Sequence, residues 1–184
     1  MDPERTADPG TFGPNTDRTV SEIRWVLGPA PERRDYPHRV LALPDPPPAS
    51  SSSVRSVMRG NRSTDTRNEI ALRSELHRRG LRFRKHVALV PGLRFRPDIV
   101  FPRRRIVVEC LGCFWHRCPV DGVSPRTNSE YWEAKLERNV QRDRRNAAAL
   151  AAAGWQLIVV WEHEDPVIAA DRIEALVRNT PPCA

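Results

Sequence analysis

Residues 96–119 read RPDIVFPRRRIVVECLGCFWHRCP, and this stretch decides the fold. It predicts two strands, RPDIVFP and RRIVVECLG, because Val100 and the run Ile106–Val108 are the β-branched residues that strands favour. The charged segment Pro102–Arg105 between them predicts a turn. One acid lies near the start of the first strand and another near the end of the second. A loop rich in thiols and aromatic rings follows, so this pair of strands should carry the chemistry.

Helical and extended patterns alternate on both sides of this pair. The segment 66–80 predicts a helix that is capped by Asp65 or Thr66, with Glu69 one turn later, and that closes at Gly80. We also predict strands at 81–90 and 155–164 and helices at 129–154 and 165–179. The order α-β-β-β-α-β-α indicates an α/β fold, a mixed sheet flanked by helices.

The composition favours a nucleic-acid partner. Lys and Arg number 30 against 23 Asp and Glu, a net charge of +7, and a basic surplus attracts polyanions. An arginine-rich coding bias would give the same surplus, since only Lys85 and Lys135 are lysines. The sequence contains neither an apolar run of membrane-spanning length nor a secretory signal core, so we expect no membrane contact and a cytoplasmic location. Three cysteines beside His116 favour a metal or catalytic cluster over disulfides.

Proline marks the predicted domain boundary. Residues 1–57 hold 10 of the 18 prolines, which predicts a largely disordered extension with one apolar patch at 23–27. The catalytic domain is predicted at 58–178, with a short tail at 179–184. An alternative is that translation starts at Met58.

Asp98 and Glu109 are candidate ligands for a hard divalent cation such as Mg²⁺, because paired acids on adjacent strands supply oxygen donors. As isolated residues they are more typical of a turn-capping acid, for Asp98, and of an exposed strand position, for Glu109. In the loop that follows, Cys113 and Cys118 can bind Zn²⁺ as thiolates. Phe114-Trp115 in a basic protein is typical of a wedge between base steps, although the two rings could instead pack on the long helix.

The blocks RPDIVF, GCFWHRCP, YWEAKLERNVQRD and GWQLIVVWEHEDP together resemble the very short patch repair (Vsr) endonuclease family over residues 58–175. The resemblance implies a PD-(D/E)xK (restriction-endonuclease-like) fold with a structural zinc and Mg²⁺-dependent phosphodiester hydrolysis. The implied substrate is double-stranded DNA with a T:G mismatch, nicked 5′ to the thymine that deamination of 5-methylcytosine leaves. A monomer with a functional link to a DNA cytosine methyltransferase is also implied.

The resemblance assigns roles to individual residues. It implies that Asp98 binds the metal, that His116 moves the water's proton and that Glu69 supports the active site, although helix capping alone would explain Glu69. It implies zinc ligation by Cys113, Cys118 and His163, and DNA intercalation by three aromatic residues, Phe114, Trp115 and Trp132.

The sequence also departs from the family. Leu111 replaces an aspartate found in many relatives, and Asp121 stands where a fourth zinc ligand, often histidine, is expected. A second Mg²⁺ contact is expected from the backbone oxygen of Cys110. Glu109 is one position away, and strand alternation points it to the opposite face, so we do not count it among the ligands and keep it as the acid to test if Asp98 does not bind the metal. Two alternatives stay open: a PD-(D/E)xK endonuclease without mismatch preference, and a zinc-stabilised DNA-binding module with weakened catalysis.

Overall fold

A computed structural model of the chain describes residues 43, 45–49, 51–60 and 64–183. Its sheet has three strands in the order β1 (Ile99–Phe101), β2 (Ile106–Leu111) and β3 (Gln156–Trp161). The first pair is antiparallel and the second is parallel, which confirms the predicted mixed sheet. A single turn of 3-10 helix, Pro102–Arg104, connects β1 to β2.

In the part of the chain that the structure describes, four α-helices accompany the sheet: α1 (Ser52–Gly60), α2 (Arg67–Arg78), α3 (Ser129–Ala152) and α4 (Pro166–Asn179). Alternating residues of β2 divide the apolar core. Ile106 and Val108 pack with buried residues of α2 and α4, whereas Val107 packs with Leu150 of α3. The sheet therefore lies between α2 and α4 on one face and α3 on the other, and the predicted α/β class is confirmed.

The predicted strand at 81–90 is wrong as a regular strand. Arg84 forms one isolated bridge with Val100, through backbone hydrogen bonds of 2.8 and 2.7 Å. His86, two residues later, adopts a left-handed backbone with φ of 52°, which takes the chain out of the extended conformation. The apolar residues of this segment still contribute to packing, because Phe83 packs against the core.

Two structural features lie at the ends of the predicted domain. Helix α1 lies across residues 57 and 58, where the extension was predicted to end. The predicted disorder before residue 43 and the patch at 23–27 lie outside the described residues. At the other end, the Cys183 amide donates to the Arg103 carbonyl at 2.8 Å, so the short tail is held against the turn before β2. Among the described residues, no helix is both long and apolar enough to span a bilayer.

Candidate active site and metal cluster

The two acids of the central strands lie opposite each other. Ile99 of β1 pairs with Val108 of β2, so one step further the antiparallel register aligns Asp98 with Glu109. The Cys110 amide donates to Asp98 Oδ2 at 2.8 Å, which holds that carboxylate at the end of the sheet. Asp98 therefore lies beside both Glu109 and Cys110.

Alternation along β2 turns the Cys110 side chain towards the core formed with α2 and α4. Glu109 points the other way, as the sequence predicts, but this is the side from which α3 brings Asp143 towards the sheet. Asp98 and Asp143 are the charges that most raise the pKa of Glu109, after the larger effect of its own burial. Glu109 therefore lies on the face of the sheet that α3 covers, close to the charges of Asp98 and Asp143.

Burial also raises the pKa of Asp98, to about 6, with a smaller contribution from the nearby Glu69. The hydrogen bond from Cys110 acts in the opposite direction. Both central acids are therefore partly desolvated and lie among like charges. This arrangement is unfavourable without a cation and is typical of functional sites.

Glu69 combines two tasks. Thr66 is the N-cap of α2, and its side chain and Glu69 form the predicted capping box. The Glu69 carboxylate also accepts the Asp65 amide at 3.0 Å and lies 3.4 Å from Arg73, and the residue is only 3% exposed. Capping thus fixes Glu69 where its charge acts on Asp98, so both sequence interpretations agree with its position.

His116 is oriented by α3. Its Nδ1 is 2.5 Å from Asp143 Oδ2, and Asn139, one turn earlier in α3, donates to the Trp115 carbonyl at 3.0 Å. Asp143 also lies 3.3 Å from Arg142. Because Nδ1 is engaged, Nε2 is the imidazole atom left to exchange a proton. Asp143 belongs to the site through this contact, a role that the sequence did not assign.

The predicted zinc ligands come together on the other side of the loop. His163 Nδ1 lies 3.1 Å from Cys113 Sγ and 3.5 Å from Cys118 Sγ. Sulfur and nitrogen ligands of tetrahedral zinc are separated by about 3.5 Å, so the Cys118 separation matches such an ion and the Cys113 separation is about 0.4 Å short. Asp121 Oδ2 is 3.5 Å from His163 Nδ1, close enough to complete it. Gly122 allows the tight approach here, because a Cβ would lie 2.3 Å from the Cys118 carbonyl.

The three predicted intercalating residues form one aromatic cluster. The Phe114 ring is 5.1 Å from Trp115 and 5.4 Å from Trp132, and the two indoles are 5.9 Å apart, all edge to face. Trp132 belongs to α3, so the packing on the long helix considered above is present. All three residues are also partly exposed to solvent. The cluster is therefore both supported by α3 and accessible to a ligand.

A partly buried carboxylate pair, an imidazole held by a third carboxylate and a Cys/His cluster, on a small mixed sheet with helices, fit the restriction-endonuclease-like class of nucleases. Residues 50–120 match the family model described as DNA mismatch endonuclease Vsr. The chain belongs to this Vsr family of DNA endonucleases.

Individual relatives agree with this assignment. The chain is 46% identical to the Type II nicking enzyme V.NaeI of Lentzea aerocolonigenes, over 65% of this chain and 73% of that protein. It is 47% identical to the Type II nicking enzyme V.XorIIP of Xanthomonas oryzae pv. oryzae, over 68% and 89%. Its identity to the DNA mismatch endonuclease Vsr of Escherichia coli is 42%, over 57% and 66%.

Proposed function

We propose that this protein nicks double-stranded DNA at T:G mismatches, 5′ to the thymine that deamination of 5-methylcytosine leaves, in very short patch repair. The observation that carries the proposal is the loop after β2. Its His116 is held by Asp143, and the two residues before it, Phe114 and Trp115, form an accessible aromatic cluster with Trp132. One short loop thus presents a proton acceptor and a candidate base-step wedge side by side.

In this proposal His116 Nε2 takes the proton of the attacking water, while Asp143 orients the ring and stabilises its protonated form. Asp98 and the backbone oxygen of Cys110 would hold Mg²⁺, with Glu69 supporting Asp98. The partly desolvated Asp98, which lies among like charges, fits that ion. Bound Mg²⁺ would supply charge stabilisation at the scissile phosphate.

The Cys113, Cys118 and His163 cluster, with Asp121, would hold a structural Zn²⁺ that ties the loop to the end of β3. Phe114, Trp115 and Trp132 would insert beside the mismatch. Exposed arginines of α3 would contact the flanking phosphates, which position the protein without reading sequence; these are Arg138, Arg142, Arg144 and Arg145. The protein would act as a monomer, functionally linked to a DNA cytosine methyltransferase.

A nicking enzyme without mismatch preference is the second candidate, because two of the relatives above are named Type II nicking enzymes. The test compares nicking of a T:G duplex and the matched T:A duplex, each with Mg²⁺ and with EDTA. We expect Mg²⁺-dependent cleavage of the T:G duplex alone. Equal cleavage of both duplexes would support the second candidate, and binding without cleavage would support a DNA-binding module.

A further inference from the structure

The segment 82–96, here called the basic loop, carries charge of one sign. It contains five lysines and arginines and neither aspartate nor glutamate. The five basic residues, all exposed, are Arg82, Arg84, Lys85, Arg94 and Arg96. Among them, and within the described part of the chain, only Lys85 has an acid at ion-pair distance, since its Nζ lies 3.5 Å from Asp65. The charge of the four arginines is therefore not neutralised by contacts within that part of the chain.

Backbone contacts fold the basic loop back on itself and attach it to the edge of the sheet. Arg84 exchanges two backbone hydrogen bonds with Val100 of β1, and the Leu93 amide donates to the Val90 carbonyl at 3.1 Å, which closes the turn at the tip. Phe95 packs against the apolar residues that α3 covers. The residues that line an open recess of about 590 Å³ beside this turn are Ala88, Gly92, Leu93, Arg94 and Arg96. The loop is thus anchored, and two of its arginines border one concave surface.

The basic loop and α3 reach the candidate active site from different elements. The loop leads into Asp98, and its His86 amide donates to the Pro97 carbonyl at 3.0 Å. Helix α3 reaches the site through Asp143, which holds His116. The same helix carries the exposed arginines that the proposed function assigns to flanking phosphates. One basic surface therefore adjoins Asp98 and another adjoins His116.

We propose that the basic loop is a second contact surface for the phosphate backbone of double-stranded DNA, in addition to α3. This inference rests on the proposed function and adds a surface to it. Duplex DNA fits because its closely spaced phosphates can meet cations that are distributed along a loop. The N-terminal segment 1–42 does not fit, since its seven acidic residues are offset by six arginines. Phosphate contacts carry no sequence information, so this surface should strengthen binding to every duplex equally.

The experiment measures binding of the full-length protein to a T:G duplex and to the matched T:A duplex by fluorescence anisotropy, over a series of NaCl concentrations in Mg²⁺-free buffer. The slope of log affinity against log salt should become shallower by about 1 in Arg94→Gln and in Arg96→Gln, and by about 2 in the double variant, because each phosphate contact contributes about 0.9. The change should be the same for both duplexes.

Two controls separate phosphate contact from other effects. The double substitution of Arg94 and Arg96 by lysine keeps both charges and should keep the wild-type slope. Arg103→Gln removes an exposed arginine from the turn at the other end of β1 and should also keep it. Circular dichroism and thermal melting establish that the glutamine variants are folded.

A wild-type slope in the folded double glutamine variant would overturn the inference, and so would an equal change of slope in Arg103→Gln. A changed ratio of T:G to T:A affinity in the double variant would also overturn it, because the loop would then discriminate between base pairs. Failure of the proposed function is separate. It would appear as equal cleavage of the T:G and T:A duplexes by the wild type, whatever the salt slopes of the variants.

Discussion

The loop after β2 separates two polar clusters with opposite chemistry. Cys113, Cys118 and His163 form a soft sulfur and nitrogen set whose atoms lie at separations close to those around a tetrahedral ion. Asp98 and Glu109 form a hard oxygen set: burial raises the pKa of both carboxyls, and the charge of Asp98 raises the pKa of Glu109 further. In the proposed function the first cluster would be a closed structural site, and the second an open site that would take a cation and substrate.

The comparison predicts that the sulfur cluster controls folding. Cys118→Ala should abolish zinc binding and make the protein insoluble or unfolded, because structural Zn²⁺ contributes about 10–16 kcal/mol in small zinc domains. Elemental analysis and thermal melting measure this. Cys183→Ala, at an exposed cysteine, should leave both unchanged. A well-folded wild-type preparation without metal would remove the structural role.

The residues proposed for catalysis should control the nicking rate, and their replacement should leave the fold intact. His116→Ala should lower the single-turnover nicking rate by about 10²- to 10⁴-fold, the usual value of a positioned proton acceptor. Its zinc content and T:G duplex affinity should stay near those of the wild type. Asp143→Asn should lower the rate in the same direction, because it removes the charge that orients His116. Loss of zinc in His116→Ala would place His116 in the other cluster.

The aromatic cluster between the two sites should control recognition. Trp115→Ala should weaken T:G duplex binding about 5- to 150-fold, if a wedge is worth the 1–3 kcal/mol of a stacked base. The difference between T:G and T:A affinity should also narrow. Trp155→Phe is the control, because Trp155 packs below Arg105 and away from the loop. Unchanged discrimination would show that Trp115 serves α3 packing alone.

The ionised Asp98 should lower the free energy of unfolding of the protein when Mg²⁺ is absent. Its folded pKa of about 6 exceeds the usual 3.8, so the folded state holds a proton that the unfolded state loses first. The free energy of unfolding should therefore fall by about 1–3 kcal/mol as the pH rises from about 4 to 6, and it should stay at the lower value above pH 6.

Asp98→Asn removes this ionisation and keeps an acceptor for the Cys110 amide. In Mg²⁺-free buffer without a chelator, so that zinc is retained, the variant should melt above the wild type at pH 7.5 and level with it at pH 4. Added Mg²⁺ should raise the melting temperature of the wild type alone. Equal melting temperatures at pH 7.5 would contradict the burial cost.

Removal of the N-terminal extension is expected to have the smallest effect on stability and on nicking. A chain that begins at Ser51 should melt and nick like the full chain, because the preceding segment is proline-rich and low in apolar residues. A chain that begins at Met58 cuts through α1 and provides the comparison. A large loss of stability in the first variant would show that the extension docks on the domain.

Sequence patterns predicted most elements because they depend on local signals. The α2 capping box, the β-branched runs of β1 and β2 and the closing Gly154 of α3 are each readable within a few residues. The strand at 81–90 failed because His86 adopts a left-handed backbone that no local pattern indicates. Asp143 was missed as a site residue, and the candidate Glu109 was set aside, for a different reason. Their importance depends on which helix covers which sheet face, and that is a long-range property.

Helix α3 places Trp132 and Asp143 eleven residues apart, about 16 Å along one side of the helix. Trp132 contacts Trp115, and Asp143 holds His116, the next residue in the chain. An inserted or deleted residue between them would rotate one contact by about 100° relative to the other. The length of this helical segment is therefore constrained as strictly as its composition, and natural variants should change its residues far more readily than their number.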